Sequence, residues 1–304
     1  MNNLASDRSR MIELHETLDA GDGARPSRLP GVTLLRSRVS TEPVLVLYEP
    51  CIVIVAQGSK RFALPGRSVT YDTQRFLALT VPVSAYCETT VAENGPFLAL
   101  AVRVDLTVLS ELLSHPGVST AAADLEEEPY CIAAPMTAAL RDATIRLLEC
   151  LGSTSDARIL GPQYVREFLY RVLCTDASNA LCGLLLGSEV RAQIHRALQK
   201  LHTEYSTRIN ISALARDVGM SDSALHAHFR AVTGASPVQY LKTIRLHRAR
   251  TLMVQESIGA AAAAQIVGYD SASQFSREFK RFFGSSPTVE SRKIRTAFGF
   301  AETP

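Results

Sequence analysis

No stretch of the sequence approaches the run of about 20 apolar residues that a membrane-crossing helix needs, which excludes helical membrane proteins. The opening stretch Met1–Arg10 is polar and lacks the apolar centre of a secretory signal, so a cytoplasmic location is expected. There is no low-complexity tract. The six cysteines (Cys51, Cys87, Cys131, Cys150, Cys174, Cys182) include no Cys-x-x-Cys pair, so zinc-ligand spacing is absent. In a reducing compartment most of them should be small core residues. Histidine is missing between Val32 and Asp105, and ahead of residue 188 it occurs only at His15 and His115. A barrel metalloenzyme needs several inward histidines and carboxylates, so no metal is expected. No Gly-x-Ser-x-Gly elbow is present. Neither a cofactor nor enzymatic activity is expected.

At 304 residues, the chain is long enough for two domains that each bury a core. A formal net charge of +2 hides an asymmetry. Residues 188–304 carry an excess of Lys and Arg, and residues 1–187 an excess of Asp and Glu. That distribution suits an acidic regulatory half joined to a basic half able to meet phosphates.

The expected fold class is α+β, with an N-terminal domain over 1–187 and an all-α domain over 188–304. A short helix is predicted around Ser9–Leu18 within a partly ordered lead-in. From Val32 to Asp105 short β-rich runs follow one another: Val44–Tyr48, Cys51–Gln57, Lys60–Leu64, Phe76–Val81, Ala85–Thr90 and Phe97–Val104. Gly58-Ser59 reads as a two-residue hairpin and Pro65-Gly66 as another turn. Strands at this spacing predict a small, cupin-like β-barrel or sandwich. Helices are predicted over Leu106–Leu113, Met136–Cys150 and Pro162–Thr175. In the last, Val165, Phe168, Leu169, Val172 and Leu173 share one stripe, which suits either packing on the barrel or homodimerisation. The apolar, glycine-punctuated Ser178–Gly187 marks the domain junction, with Ser188 able to cap the next helix.

The last third repeats itself. Ala215, Val218 and Gly219 match Ala264, Val267 and Gly268 at an offset of 49, by direct count along the sequence. Ser221, Phe229, Gly234, Ser236 and Pro237 match Ser271, Phe279, Gly284, Ser286 and Pro287 at an offset of 50. Each copy starts with a short, Ala-rich helix ended by a glycine suited to a left-handed cap. A serine then caps a second helix. That second helix turns Leu225, Phe229 and Val232, or Phe275, Phe279 and Phe282, inward. Helix, tight turn and second helix make a helix-turn-helix, here over about 211–232 and 259–283, whose second helix suits a DNA major groove. Between the copies Pro237–Gln255 predicts a rod of about 27 Å. Major-groove openings on one duplex face lie about 34 Å apart, so the rod can offer both second helices to one face.

The run Leu246-His247-Arg248-Ala249-Arg250-Thr251-Leu252, followed by Val267-Gly268-Tyr269-Asp270-Ser271-Ala272-Ser273-Gln274-Phe275-Ser276-Arg277-Glu278-Phe279-Lys280-Arg281-Phe282-Phe283-Gly284, resembles the AraC/XylS family of bacterial regulators. The front half, from Tyr48-Glu49-Pro50 through Gln57-Gly58-Ser59-Lys60 to Tyr71-Asp72, more loosely resembles the N-terminal domain of one of its subgroups. The resemblance implies double-stranded promoter DNA as partner, an effector domain in front, and transcriptional activation as the commoner mode. A homodimer and contact with RNA polymerase are further possible partnerships.

In the first recognition helix Asp222, Ser223, His226 and Ala227 are placed to reach base edges, with His228 and Arg230 nearer the backbone. Family members often carry Arg where this chain has Ala227, so bidentate guanine readout is lost there. His226 could equally be a surface histidine without a contact. In the second helix the matching positions are Ala272, Ser273, Ser276 and Arg277. Gln274 suits a phosphate or the helix terminus. Arg277 is the strongest reader, against the alternative of an ion pair with Glu278 or Asp270. Lys280 and Arg281 suit phosphates, whereas Arg245 and Arg250 could instead tie the two units together.

For the front half, the default expectation is a small-molecule effector, with Phe62, Tyr71, Tyr86 and Phe97 as possible lining. Cys51 and Cys87 are candidate effector-sensing thiols, against the reading that both are inert core residues. A bifunctional DNA-repair alkyl acceptor would show Pro-Cys-His-Arg, whereas Pro50-Cys51 is followed by Ile52-Val53. A regulator without ligand, contacting only protein partners, is the remaining alternative.

Overall fold

The computed structural model describes residues 2–18, 21–64, 67–115, 130–186 and 189–297, and the chain divides into two compact units, one of residues 1–44 and 48–188 and the other of residues 189–304 together with 45–47. The N-terminal unit opens with α1 (Asn2–Thr17) and continues through nine strands: β1 (Gly23–Pro26), β2 (Val32–Ser37), β3 (Thr41–Tyr48), β4 (Cys51–Gln57), β5 (Ser59–Leu64), β6 (Arg67–Asp72), β7 (Arg75–Leu79), β8 (Val83–Thr90) and β9 (Phe97–Arg103). After α2 (Leu106–Leu113) come β10 (Cys131–Pro135), α3 (Ala138–Cys150), α4 (Thr154–Ile159), α5 (Gly161–Leu173) and α6 (Ser178–Leu186). The class is α+β. The strands form two open sheets rather than one closed barrel, ordered β1-β2-β9-β4-β7-β10 and β3-β8-β5-β6.

Gly58 is where the expected hairpin gives way to a corner. β4 pairs with β7 and β9, whereas β5 pairs with β6 and β8, so the chain changes sheets at this residue. Its φ is +82°, and a Cβ there would stand 2.6 Å from the Thr90 carbonyl oxygen. Left-handed backbone and close approach both demand glycine. Hairpins and corners make the same demand, so the dipeptide could not tell them apart. The expected Pro65-Gly66 turn lies outside the described residues, between strands paired with Leu64 opposite Arg67.

Every residue of β4 is buried, as in a strand covered on both faces. On one side Ile52, Ile54 and Ala56 join Leu98, Leu100 and Val102 in a core completed by Leu140, Leu147, Phe168, Leu169 and Val172 from α3 and α5. The apolar stripe of α5 is therefore consumed inside its own unit and offers no exposed dimer face. The leading helix is longer than the sequence suggested, and it is anchored. Met11 and His15 are buried, and a ring nitrogen of His15 lies 3.0 Å from the Ala99 carbonyl oxygen. The segment expected as a junction is α6, which buries Ala180, Leu181 and Cys182.

The C-terminal unit contains α7 (Glu189–Thr203), α8 (Ile211–Asp217), α9 (Asp222–Thr233), α10 (Pro237–Gln255), α11 (Ala260–Ile266), α12 (Ala272–Phe283) and α13 (Pro287–Ala297). Among the described residues no helix is long and apolar enough to cross a membrane.

Candidate nucleic-acid interface

Two helix pairs, α8–α9 and α11–α12, are built alike from local sequence. The Asn210 side chain caps α8 by accepting the Ala213 amide at 3.0 Å. Gly219 and Gly268 end the first helix of each pair at φ +80° and +86°. At Gly268 a Cβ would lie 2.3 Å from the Ser206 carbonyl oxygen, so the turn closes tightly there. Ser221 caps α9 through the Ala224 amide at 3.2 Å, and Ser271 caps α12 through the Gln274 amide at 3.3 Å. Leu225 and Phe229 anchor α9, and Phe275 and Phe279 anchor α12, all fully buried. Phe279 stacks at 5.4 Å from Phe275 and 4.5 Å from Phe283.

With those rings inward, the opposite faces are open. Asp222, Ser223, His226, Ala227, His228 and Arg230 are exposed on α9. On α12 Ala272, Ser273, Gln274, Arg277, Lys280 and Arg281 are exposed and Ser276 is half-buried. The structure thus brings the thirteen nominated positions onto two outward faces, with Ser276 at the edge of its face. Asp222 is turned back to accept the Ser212 hydroxyl of α8, and the Ser223 hydroxyl lies 3.2 Å from that of Ser221.

Arg277 makes no ion pair among the described residues. Its expected competitor Glu278 is occupied otherwise: it accepts from Lys242 Nζ at 2.8 Å, the Tyr269 hydroxyl at 2.9 Å and Gln274 Nε2 at 3.3 Å. Burial works to raise the Glu278 pKa, but the hydrogen bonds from Lys242, Gln274 and Tyr269 outweigh it and hold the carboxyl below its ordinary value. The sequence reading missed this hub, because nothing local marks Lys242, 36 residues away, as the partner. Lys242 and Glu278 also line a cleft of about 230 Å³ between α10 and α12, with Gln239, Leu246, Arg281 and Phe282.

Two arginines of α10, Arg245 and Arg250, are engaged within their own unit. Arg245 donates to the carbonyls of Tyr205 and Thr207, both at 2.7 Å. Arg250 pairs with Glu290 of α13 at 3.7 Å and lies 4.4 Å over the Phe283 ring. His247 is buried, with the rings of Phe282 and Phe283 edge-on at 5.5 and 5.3 Å. Burial, helped by the Arg250 charge, pushes its pKa well below the ordinary 6.5. Burial also lowers His195. Both shifts have the same sign. The unfolded chain takes up protons near pH 6.5 that the folded chain refuses, so stability is complete above that pH and is lost as pH falls below it. Melting of the full chain from pH 8 to pH 5 should show the C-terminal transition flat above about pH 7 and falling in acid. His247→Gln should flatten the acid limb. A transition that rises in acid would refute the assignment.

In the N-terminal unit Cys51 and Cys87 are both buried. Burial pushes the Cys51 thiol up to about 12 and also raises Cys87. Both are therefore protonated thiols at neutral pH, without the activation a sensing thiolate needs. Of the four nominated lining residues, Phe62, Tyr71 and Phe97 point inward and are closed to solvent, whereas Tyr86 is 53% exposed. Tyr86 pairs with Ala63, one step off the inward register.

The N-terminal profile of AraC-type transcriptional regulators matches residues 28–180, half of the chain. The chain belongs to the AraC-type transcriptional regulators. A helix-turn-helix domain profile matches residues 214–293, which takes in most of both helix pairs. Among relatives, the Msm operon regulatory protein of Streptococcus mutans is 26% identical over 108 residues, 36% of this chain and 39% of that protein. The raffinose operon transcriptional regulatory protein RafR of Pediococcus pentosaceus is 30% identical over 102 residues, 34% of this chain and 37% of that one. The matches thus span well under half the length of either relative. Among solved structures, ToxT from Vibrio cholerae is similar in an apo form, at TM-score 0.62 and 10% identity over 88% of this chain and 99% of ToxT. Its unsaturated-fatty-acid-bound form gives 0.60 and 12% over 90% and 96%. At such identity the likeness establishes the fold.

Proposed function

We propose that this regulator binds promoter DNA in a sequence-specific manner, with α9 and α12 in neighbouring major-groove openings, and activates transcription in response to a small molecule taken up by its N-terminal unit. One observation carries the reading. Two helix pairs of the same construction are joined by α10, and each keeps its second helix's polar face exposed, with Arg277 unpaired among the described residues. In this reading Ser223, His226 and Ala227 meet base edges on α9, and Ala272, Ser273, Ser276 and Arg277 on α12. His228, Arg230, Gln274, Lys280 and Arg281 meet phosphates, which fix register without reading sequence. Asp222 serves the α8–α9 turn through Ser212.

The bound fatty acid of ToxT, a neighbour in fold, supports a ligand response. The buried, protonated state of Cys51 and Cys87 favours a non-covalent ligand over thiol chemistry. A cytoplasmic homodimer that contacts RNA polymerase and has no enzymatic activity completes the proposal. Exposed Ile159 and Leu160, ahead of α5, support a dimer contact outside the buried α5 stripe.

Hydroxyl-radical footprinting of the full chain on its own upstream region tests the arrangement. Two protected patches on one duplex face, about one helical turn apart, are expected. Uniform, sequence-independent protection would contradict it.

A further inference from the structure

Among the described residues of the four-stranded sheet, Lys60 is one whose placement conflicts with its chemistry. Residues directly opposite in an antiparallel pair share a face. Lys60 stands opposite Tyr71 of β6 and opposite Thr89 of β8, and its strand neighbour Phe62 stands opposite Cys87. Phe62, Tyr71, Cys87 and Thr89 are all buried, while Arg61 on the alternate face is exposed. Register therefore sends the lysine to the inner face. Its ammonium lies 5.8 Å from the Tyr48 ring and 5.8 Å from the Phe97 ring of the other sheet.

A charge on the inner face of a sheet can protect a free strand edge. That explanation fails here, because β5 lies between β8 and β6. A structural ion pair fails as well. Among the described residues no carboxylate pairs with Lys60, and the groups that act on its charge are the thiols of Cys87 and Cys51. Beside it the fully buried Tyr71 hydroxyl approaches Tyr48 and Cys87 yet completes no hydrogen bond of good geometry. A half-buried lysine turned to the inner face of the sheet and, on the register position opposite it, a fully buried phenol without a hydrogen bond are both costly in the free protein. Both are relieved by one kind of visitor.

We infer that the effector is an organic carboxylate with an apolar body, its carboxylate held by Lys60 and Tyr71 and its body against Phe62, Phe97 and Tyr48. The inference rests on the reading of the N-terminal unit as an effector domain and specifies the ligand class. An ammonium and a hydroxyl together offer donors to both oxygens of a carboxylate, and charge-assisted bonds in such surroundings are strong. Burial also lowers the Lys60 pKa, and a bound anion would favour the charged form that burial opposes.

The experiment uses the full chain with octanoate, octanamide and octylamine as probes, in calorimetric titration and thermal melting. Octanoate should bind, raise the melting temperature and exceed octanamide at least tenfold in affinity, with octylamine weaker still. Lys60→Met should remove the preference of octanoate over octanamide. It should also raise the melting temperature of the ligand-free protein, because a charge turned to the inner face of the sheet is gone. Tyr71→Phe should weaken octanoate several-fold without affecting octanamide equally. Equal affinity for octanoate and octanamide overturns the inference, as does a ligand-free Lys60→Met protein that melts lower. If octanamide alone binds, the effector domain stands and the carboxylate class falls. If none binds while duplex binding is intact, the inference falls and the DNA-binding reading is untouched.

Discussion

Phe279→Ala should destabilise the C-terminal unit by about 3–5 kcal/mol, the usual cost of emptying a fully buried aromatic site. The ring is completely closed to solvent and packs among Ala263, Ala264, Val267, Phe275 and Phe283, with Leu246 and Ala249 of α10 in the same cluster. Its neighbours are held on α10, α11 and α12 itself, so none can slide into the void without losing a contact elsewhere. Urea denaturation followed by circular dichroism reads the change. The transition of the N-terminal unit should stay in place, because the mutated cluster lies wholly in the second unit. A loss below about 1 kcal/mol would mean that α12 is not held by this core.

Arg277→Ala should behave in the opposite manner. It should leave stability within about 0.5 kcal/mol, as for surface positions without partners. Affinity for the specific duplex should fall by about 1–3 kcal/mol, and discrimination at a single base pair should relax. The split follows from the geometry. Glu278, which would otherwise take the guanidinium, is saturated by Lys242, Tyr269 and Gln274, so Arg277 is left free for a partner outside the chain. Lys280→Ala is the control, since loss of a phosphate contact should weaken all duplexes alike and reduce the salt slope by about one. Equal weakening on specific and random duplexes by Arg277→Ala would remove it from the readers.

The helical half was legible because its determinants are local. Ser221 and Ser271 cap the helices that follow them by accepting amides three residues on, Gly219 and Gly268 end helices just before them, and Phe229 and Phe279 follow at helical spacing. Tandem copies let each confirm the other. The sheet half was legible as strands but not as sheets. Pairing joins β10 to β7, and Cys131 meets Leu79 across a long stretch of chain, with no local residue to announce it. Gly58 satisfied a hairpin and a corner equally well. Facing was lost for a similar reason: Tyr71 and Tyr86 look alike in sequence, and only register sends one inward and the other to solvent. Lys60 escaped notice because in a strand of alternating character a lysine is expected outside. The Glu278 hub was hidden because its partners come from three elements.

The central claim is sequence-specific DNA recognition by two tandem helix-turn-helix pairs, and fluorescence anisotropy of the full chain on a footprinted duplex tests it most directly. Affinity should exceed that for a scrambled duplex by about 10³-fold or more. Its logarithm should fall linearly with the logarithm of salt concentration, as counterion release requires. Scrambling the half-site under either patch should forfeit most of the preference. Binding that is insensitive to salt, or equal on specific and scrambled duplexes, would contradict the account and leave the helix pairs as a scaffold.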